Sequence, residues 1–208
     1  MRNRNEQVGK LTGLLRQVLE TLGEDLDRNG LKRTPERWAK ALLTYTEGVG
    51  VNPEEHLSVT FGHEGRDHSE QVDDMIILDN IHFTSTCEHH MAPFSGVVHI
   101  GYVPDPDNYR IIGLSKLSRV VDVFSKRLQI QERLTEEIAL AIYSSLAPLG
   151  VIVMVQGLHY CMVQRGVQQP RSTAVTTSRC GVFSIDKDLE NKFQNYLLMR
   201  MDLPGSLP

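Results

Sequence analysis

The chain has 208 residues, 40% of them hydrophobic and 23% charged, the make-up of a globular protein of one domain with a real buried core. Its formal net charge of -4 excludes the broad basic field of a protein that coats nucleic acid or an anionic membrane, so an anion must be met in a local basic pocket. The polar, basic opening from Met1 to Gln7 has no apolar run of signal or membrane length, which predicts a cytoplasmic protein. Its three cysteines cannot all pair within the chain, which points them toward metal or catalysis.

Val8, Leu11, Leu14, Leu15, Val18, Leu19 and Leu22 recur at helical spacing and predict an amphipathic helix ending near Gly23 or Asn29-Gly30. Thr34-Pro35 offers an N-cap and a first-turn proline for a second helix, with Trp38, Ala41, Leu42 and Tyr45 as its buried stripe and Gly48 as its stop. The polar stretch Gly62 to Gln71, which holds His63 and His68, has no apolar period and reads as a surface loop. Strand-like runs follow at Met75 to Leu78, Ile81 to Thr86 and Val97 to Val103, the last closed by Pro104-Asp105-Pro106.

Next come a helix opening near Ser115, with Leu117, Val120, Val121 and Phe124 on one face, and another from about Leu134 to Leu146, stopped by Pro148 and Gly150. The valine-rich run Val151 to Val163 predicts a long central strand, Ala174 to Phe183 its partner, and Leu189 to Met199 a closing helix. This order predicts an α+β protein, an antiparallel sheet with helices on one side. Residues 1–74 form an N-terminal helical segment with its loop, and residues 75–208 form the domain that carries the candidate site.

Cys87-Glu88-His89-His90 stands where a strand ends, just before Met91-Ala92-Pro93 turns the chain. A thiolate and an imidazole separated by two residues can face one ion, and that soft donor pair suits Zn²⁺, which favours His90 over His89 as ligand. In Leu158-His159-Tyr160-Cys161, a strand period of two sends His159 and Cys161 to the same face. Cys87, His90 and Cys161 then make three zinc ligands, which leaves a position for water and implies catalysis rather than structure. His89 and His159, beside the metal, suit general acid and base roles. On the residues alone, a closed structural zinc completed by Cys180, His82 or His99 stays open, as do ordinary buried cysteines and histidines.

Ser115-Lys116-Leu117-Ser118-Arg119 opens a helix with two cations, which the helix dipole disfavours unless an anion sits there. The combination suits a triphosphate, with Arg165 and Arg37 as further cations; the plainer alternative is a solvated face with Arg119 paired to Asp122. Glu132, in Gln131-Glu132-Arg133, could accept two hydrogen bonds from the amidine-like edge of guanine, or could simply complement a helix start.

Four segments together carry a family resemblance: Ser85-Thr86-Cys87-Glu88-His89-His90, Gly113-Leu114-Ser115-Lys116-Leu117-Ser118-Arg119, Gln129-Ile130-Gln131-Glu132-Arg133-Leu134-Thr135, and His159-Tyr160-Cys161-Met162-Val163-Gln164-Arg165-Gly166. In order and spacing, from about Val8 onward, the chain resembles GTP cyclohydrolase I. The resemblance implies a tunnelling fold (T-fold) and a toroidal homodecamer with active sites at subunit boundaries. It implies a zinc-dependent hydrolysis of GTP to 7,8-dihydroneopterin triphosphate and formate, the first step toward folates or tetrahydrobiopterin. It assigns zinc to Cys87, His90 and Cys161, and proton transfer to His89 and His159. The triphosphate falls to Ser115, Lys116, Arg119 and Arg165, with Arg37 from a neighbouring subunit, and the guanine to Glu132 with Gln131. Two positions depart from the usual pattern: Gln156-Gly157 stands where members often have an acidic residue and alanine, and Cys180 where the position is usually apolar.

Overall fold

The structure, a computed structural model, describes residues 3–62 and 75–201; the loop histidines His63 and His68 lie outside the described residues. Helix α1 (Arg4–Thr21) starts at Asn3, whose side chain accepts the Asn5 N–H at 3.0 Å, and is followed at Gly23 by a positive φ of 82°. Helix α2 (Thr34–Tyr45) packs on it, with Arg33 rather than Thr34 as the capping residue and Pro35 inside the first turn. The expected stripes are only partly covered: in α1 Leu15 and Leu19 are buried but Leu14, Val18 and Leu22 exposed, and in α2 Trp38, Ala41 and Leu42 are half-buried and Tyr45 exposed, the buried positions being Pro35 and Ala39 instead.

A single turn, α3 (Glu54–Leu57), drops Leu57 into the main core, and the two-residue strand β1 (Thr60–Phe61) pairs with β4 (Ile111–Ile112). The main sheet has the order β5-β2-β3-β6-β7, built from β2 (Ile76–Cys87), β3 (Pro93–Val103), β5 (Leu128–Gln129), β6 (Gly150–His159) and β7 (Thr173–Gly181). All pairs are antiparallel except the short parallel β2–β5 contact. The two sequence runs before residue 87 are one strand, interrupted by a bulge at residues 79 and 80 where Asn80 takes a φ of 55°.

Helices α4 (Leu114–Ser125) and α5 (Gln131–Leu146) cover one face of this sheet, as the element order predicted. In α5 the residues Leu134, Ile138, Ile142 and Leu146 recur every four positions and are at most 1% exposed. Each such burial is worth about 2 kcal/mol against an exposed side chain. Ala147, in the left-handed region at φ 48°, ends α5 just before Pro148. The closing helix α7 (Lys187–Met201) sets Phe193 and Leu197 against Val103 and Ile152, a smaller core on the other face near one end of the sheet.

Candidate metal centre and active site

The turn between β2 and β3 is only five residues long, and its backbone is closed by its own hydrogen bonds. Cys87 N–H donates to the Ala92 carbonyl and Met91 N–H to the Cys87 carbonyl, both at 2.8 Å, with Met91 at a φ of 54°. This winding brings Cys87 Sγ within 3.9 Å of His90 Nδ1, the pairing that the two-residue spacing predicted. The turn is also fastened from below: Glu88 N–H donates to the Gln129 carbonyl at 3.0 Å, and the Glu88 carboxylate pairs with Arg133 at the start of α5. Arg133 in turn donates to Gln129 Oε1 at 2.9 Å.

Cys161 reaches the same point by a different route from the one expected. The strand ends at His159, and Tyr160–Val163 form a single helical turn, α6, so Cys161 is not on a strand and the two-residue period does not place it. The run Val151 to Val163 stays apolar through this change of direction, which hid it from a pattern based on hydropathy alone. The candidate donor atoms of Cys87, His90 and Cys161 nevertheless lie within 4.8 Å of one another. Among the described residues no fourth His, Cys, Asp or Glu joins them.

The closed-site candidates lie elsewhere. His82 is exposed opposite Val97, and His99 is buried with its Nδ1 accepting the Asn80 N–H at 3.3 Å. Cys180 pairs with Val151, at the end of the sheet away from His159. Two sulfurs and one imidazole within one ion's reach are a donor set that fits zinc. Burial, and then the neighbouring Cys87, push the Cys161 thiol above its ordinary range, and a divalent cation is what would let such a pair ionise.

His159 is half-buried and stacked flat on Phe94, with ring centroids 4.6 Å apart and 5° between planes. Burial holds its pKa below the ordinary value, against an opposing pull from the Glu132 carboxylate. Its Nε2 lies 2.8 Å from Oε1 of Gln131, which is 2% exposed and gives its amide nitrogen to Val155 O, Ala174 O and Thr176 Oγ1. Both ends of the Gln131 amide thus have partners within the protein. The neighbouring Glu132 carboxylate is exposed. His89 is exposed on the turn, its ring 6.2 Å from that of His90.

The cationic helix start is at the other end of the same layer. Strand β4 precedes α4, and its Ile112 N–H donates to the hydroxyl of Tyr102, which pairs with Ile76 where β2 begins. Helix α4 then runs toward β5, which lies beside Thr86 and Cys87 where β2 ends. Twelve helical residues span about 18 Å, so Ser115 and Lys116, in the first turn of α4, begin that far from its β5 end, with Arg119 midway along. The N-cap is Gly113, with no side chain to bind the first amides, and the first turn has no acidic residue. Among the described residues neither Lys116 nor Arg119 has an ion-pair partner, and Asp122 binds Lys126 at 3.2 Å rather than Arg119.

The sequence profile of the family described as GTP cyclohydrolase I matches residues 11–198. The chain belongs to that family. Proteins named GTP cyclohydrolase 1 resemble it along most of its length. The one from Dictyostelium discoideum is 43% identical over 91% of this chain and 78% of its own. That from Saccharomyces cerevisiae is 43% identical over 89% and 73%, and that from Clostridium perfringens 46% over 85% and 90%. The crystal structure of the archaeosine synthase QueF-Like in the apo form superposes on 53% of this chain at 15% identity and a TM-score of 0.43.

As a member of the GTP cyclohydrolase I family the chain is a hydrolase. One chain brings together Cys87, His89, His90, His159, Cys161, Gln131 and Glu132, with exposed Arg165 just beyond α6. It leaves Ser115 and Lys116 in the first turn of α4, Arg119 midway along that helix, and Arg37 exposed on α2. Three features of the site had no sequence signal: the Phe94 stack, the Gln131 bridge and the Glu88–Arg133 strap. Each joins residues brought together only by strand pairing or helix packing. No helix among the described residues is long and apolar enough to cross a membrane.

Proposed function

We infer that this chain hydrolyses GTP, opening the imidazole ring of its guanine with one water to give 7,8-dihydroneopterin triphosphate and formate, at the head of tetrahydrofolate or tetrahydrobiopterin synthesis. The observation that carries the reading is the three-donor group Cys87, His90 and Cys161, with no fourth donor among the described residues and with His159 fixed two residues away. A zinc ion held by these three would supply Lewis acidity and make water a nucleophile near neutral pH.

The chain's own residues supply the rest. His159, half-buried and aligned by Phe94, accepts and returns protons at the reacting ring, and exposed His89 serves the solvent side. The Glu132 carboxylate accepts two hydrogen bonds from the amidine-like edge of guanine, which adenine cannot offer. Ser115, Lys116 and Arg119 hold the triphosphate with Arg165 and Arg37. Because α4 carries its cations away from the Cys87 turn, the phosphate grip belongs to a neighbouring copy. This supports a homo-oligomer, a decamer by family resemblance, with each site at a subunit boundary.

The test is direct: purified, zinc-loaded protein is incubated with GTP, and the product is oxidised, dephosphorylated and read by pterin fluorescence alongside released formate. Equal yields of pterin and formate are expected. GTP binding with neither product would reduce the protein to a nucleotide-binding scaffold with a structural metal.

A further inference from the structure

The bridge between Gln131 and His159 fixes more than a position, because the direction of every hydrogen bond in it can be worked out. Thr135 Oγ1 lies 2.7 Å from the Gln131 backbone carbonyl, which can only accept, so the Thr135 hydroxyl proton is used there. The 2.6 Å contact between Thr135 and Thr176 must then be donated by Thr176. Thr176 therefore has only lone pairs left for Gln131, and the group that faces it at 3.2 Å must be the amide nitrogen. Val155 O and Ala174 O, at 3.1 and 3.0 Å, demand the same end. A reversed amide would set its oxygen against two buried carbonyls, a loss of about 1–3 kcal/mol for each unmet group.

The amide oxygen is left pointing at His159 Nε2, 2.8 Å away, and an oxygen there requires a proton on that nitrogen. The backbone beneath is shaped to suit: a Cβ on Gly157 would come within 2.6 Å of Gln131 Oε1, so the glycine at this position makes room for the amide.

We propose that Gln131 is a positioning residue that holds His159 as the Nε2–H tautomer, so that Nδ1 is the nitrogen that exchanges protons with the substrate. Gln131 does not read the guanine; base selection rests with Glu132. The inference depends on the proton-transfer role of His159 in the proposed hydrolysis, but the tautomer itself can be read without turnover. The exchange balances at the ring: Nδ1 takes one proton and later gives it back, while the Nε2 proton stays bonded to Nε2 throughout, donated to the Gln131 oxygen.

The experiment is neutron diffraction from crystals of the zinc-loaded, deuterated full-length protein, with kinetics on the same variants. In the parent protein a deuteron is expected on His159 Nε2, within the hydrogen bond to Gln131. Gln131→Met keeps the length but removes the acceptor. It is expected to lose that single placement and to lower kcat about 10- to 100-fold, with KM for GTP within about twofold and zinc content unchanged. Thr176→Val is expected to move kcat in the same direction by a smaller factor, and it carries the test if Gln131→Met does not fold. A deuteron on Nδ1 alone in the parent protein would overturn the proposal, as would a Gln131→Met or Thr176→Val variant whose KM rises as much as its kcat falls. If the parent protein binds zinc but does not turn over GTP, the proposed hydrolysis fails while the deuteron position still decides the tautomer.

Discussion

The two ends of the β2–α4 layer are built on opposite principles. At the Cys87 end, polar groups are paired within the chain: the turn bonds to itself, Glu88 to Arg133, and Gln131 to three acceptors and His159. At the Ser115 end the helix start is uncapped by any side chain and its cations are unpaired among the described residues. The proposed function makes sense of the difference: groups that would hold a metal and a proton are locked before substrate arrives, whereas groups that would grip a solvated polyphosphate keep their charge available to it. In the proposed function the two kinds of group meet across a subunit boundary.

The largest effect expected is at the locked end. Cys161→Ala should abolish both stoichiometric zinc, measured by metal analysis, and pterin formation, whereas His159→Ala should keep zinc while losing most turnover. Equal zinc loss in the two would move His159 into the ligand set. Co-expressing Cys161→Ala chains with Lys116→Ala/Arg119→Ala chains sharpens the contrast. If the two ends come from different copies, mixed oligomers should recover activity toward about a quarter of the parent level, because one site in four joins two intact halves. Absence of any recovery would place both halves in one chain.

Next in size, Lys116→Ala should raise KM for GTP about 10- to 100-fold, the loss of a charged hydrogen bond, with much less change in guanosine binding. Equal weakening of both ligands would mean that Lys116 is not a phosphate contact. Arg133→Met cuts the strap under the ligand turn, and zinc affinity in a competitive chelator titration should fall about 10-fold with the fold intact. An unchanged affinity would reduce the strap to an ordinary surface ion pair.

The smallest effect is one of stability, away from both ends. Arg179, then Lys187, hold the buried Glu190 carboxylate down to a pKa of about 2, which fastens α7 to β7. A carboxylate whose folded pKa is depressed stabilises the fold above its unfolded value and loses that contribution as pH falls toward the folded value. Glu190→Gln should therefore cost about 1–2 kcal/mol at neutral pH. In denaturant titrations the difference from the parent should fade between about pH 4.5 and 2. A difference that does not change with pH would assign the effect to packing.

Much of the fold could be read along the chain because its elements obey local periods. The apolar faces of α4 and α5, the stops at Pro148 and Gly150, and the strands around residues 81–86 and 97–103 all follow from spacing and turn chemistry. The Cys87–His90 pair was equally legible, since two residues of separation in a tight turn decide it. The helical turn at Cys161 was not, because an apolar run continues unchanged through a reversal that only packing imposes. What tertiary structure alone decided is which partners long-range pairing delivers. Gln131, legible in the sequence as a helix-start residue beside a candidate base anchor, becomes the support of His159 because β6 and β7 bring carbonyls and a hydroxyl to its amide. The separation of the Ser115 helix start from the Cys87 turn was likewise set by the direction in which α4 lies along the sheet, a quantity that no local pattern contains.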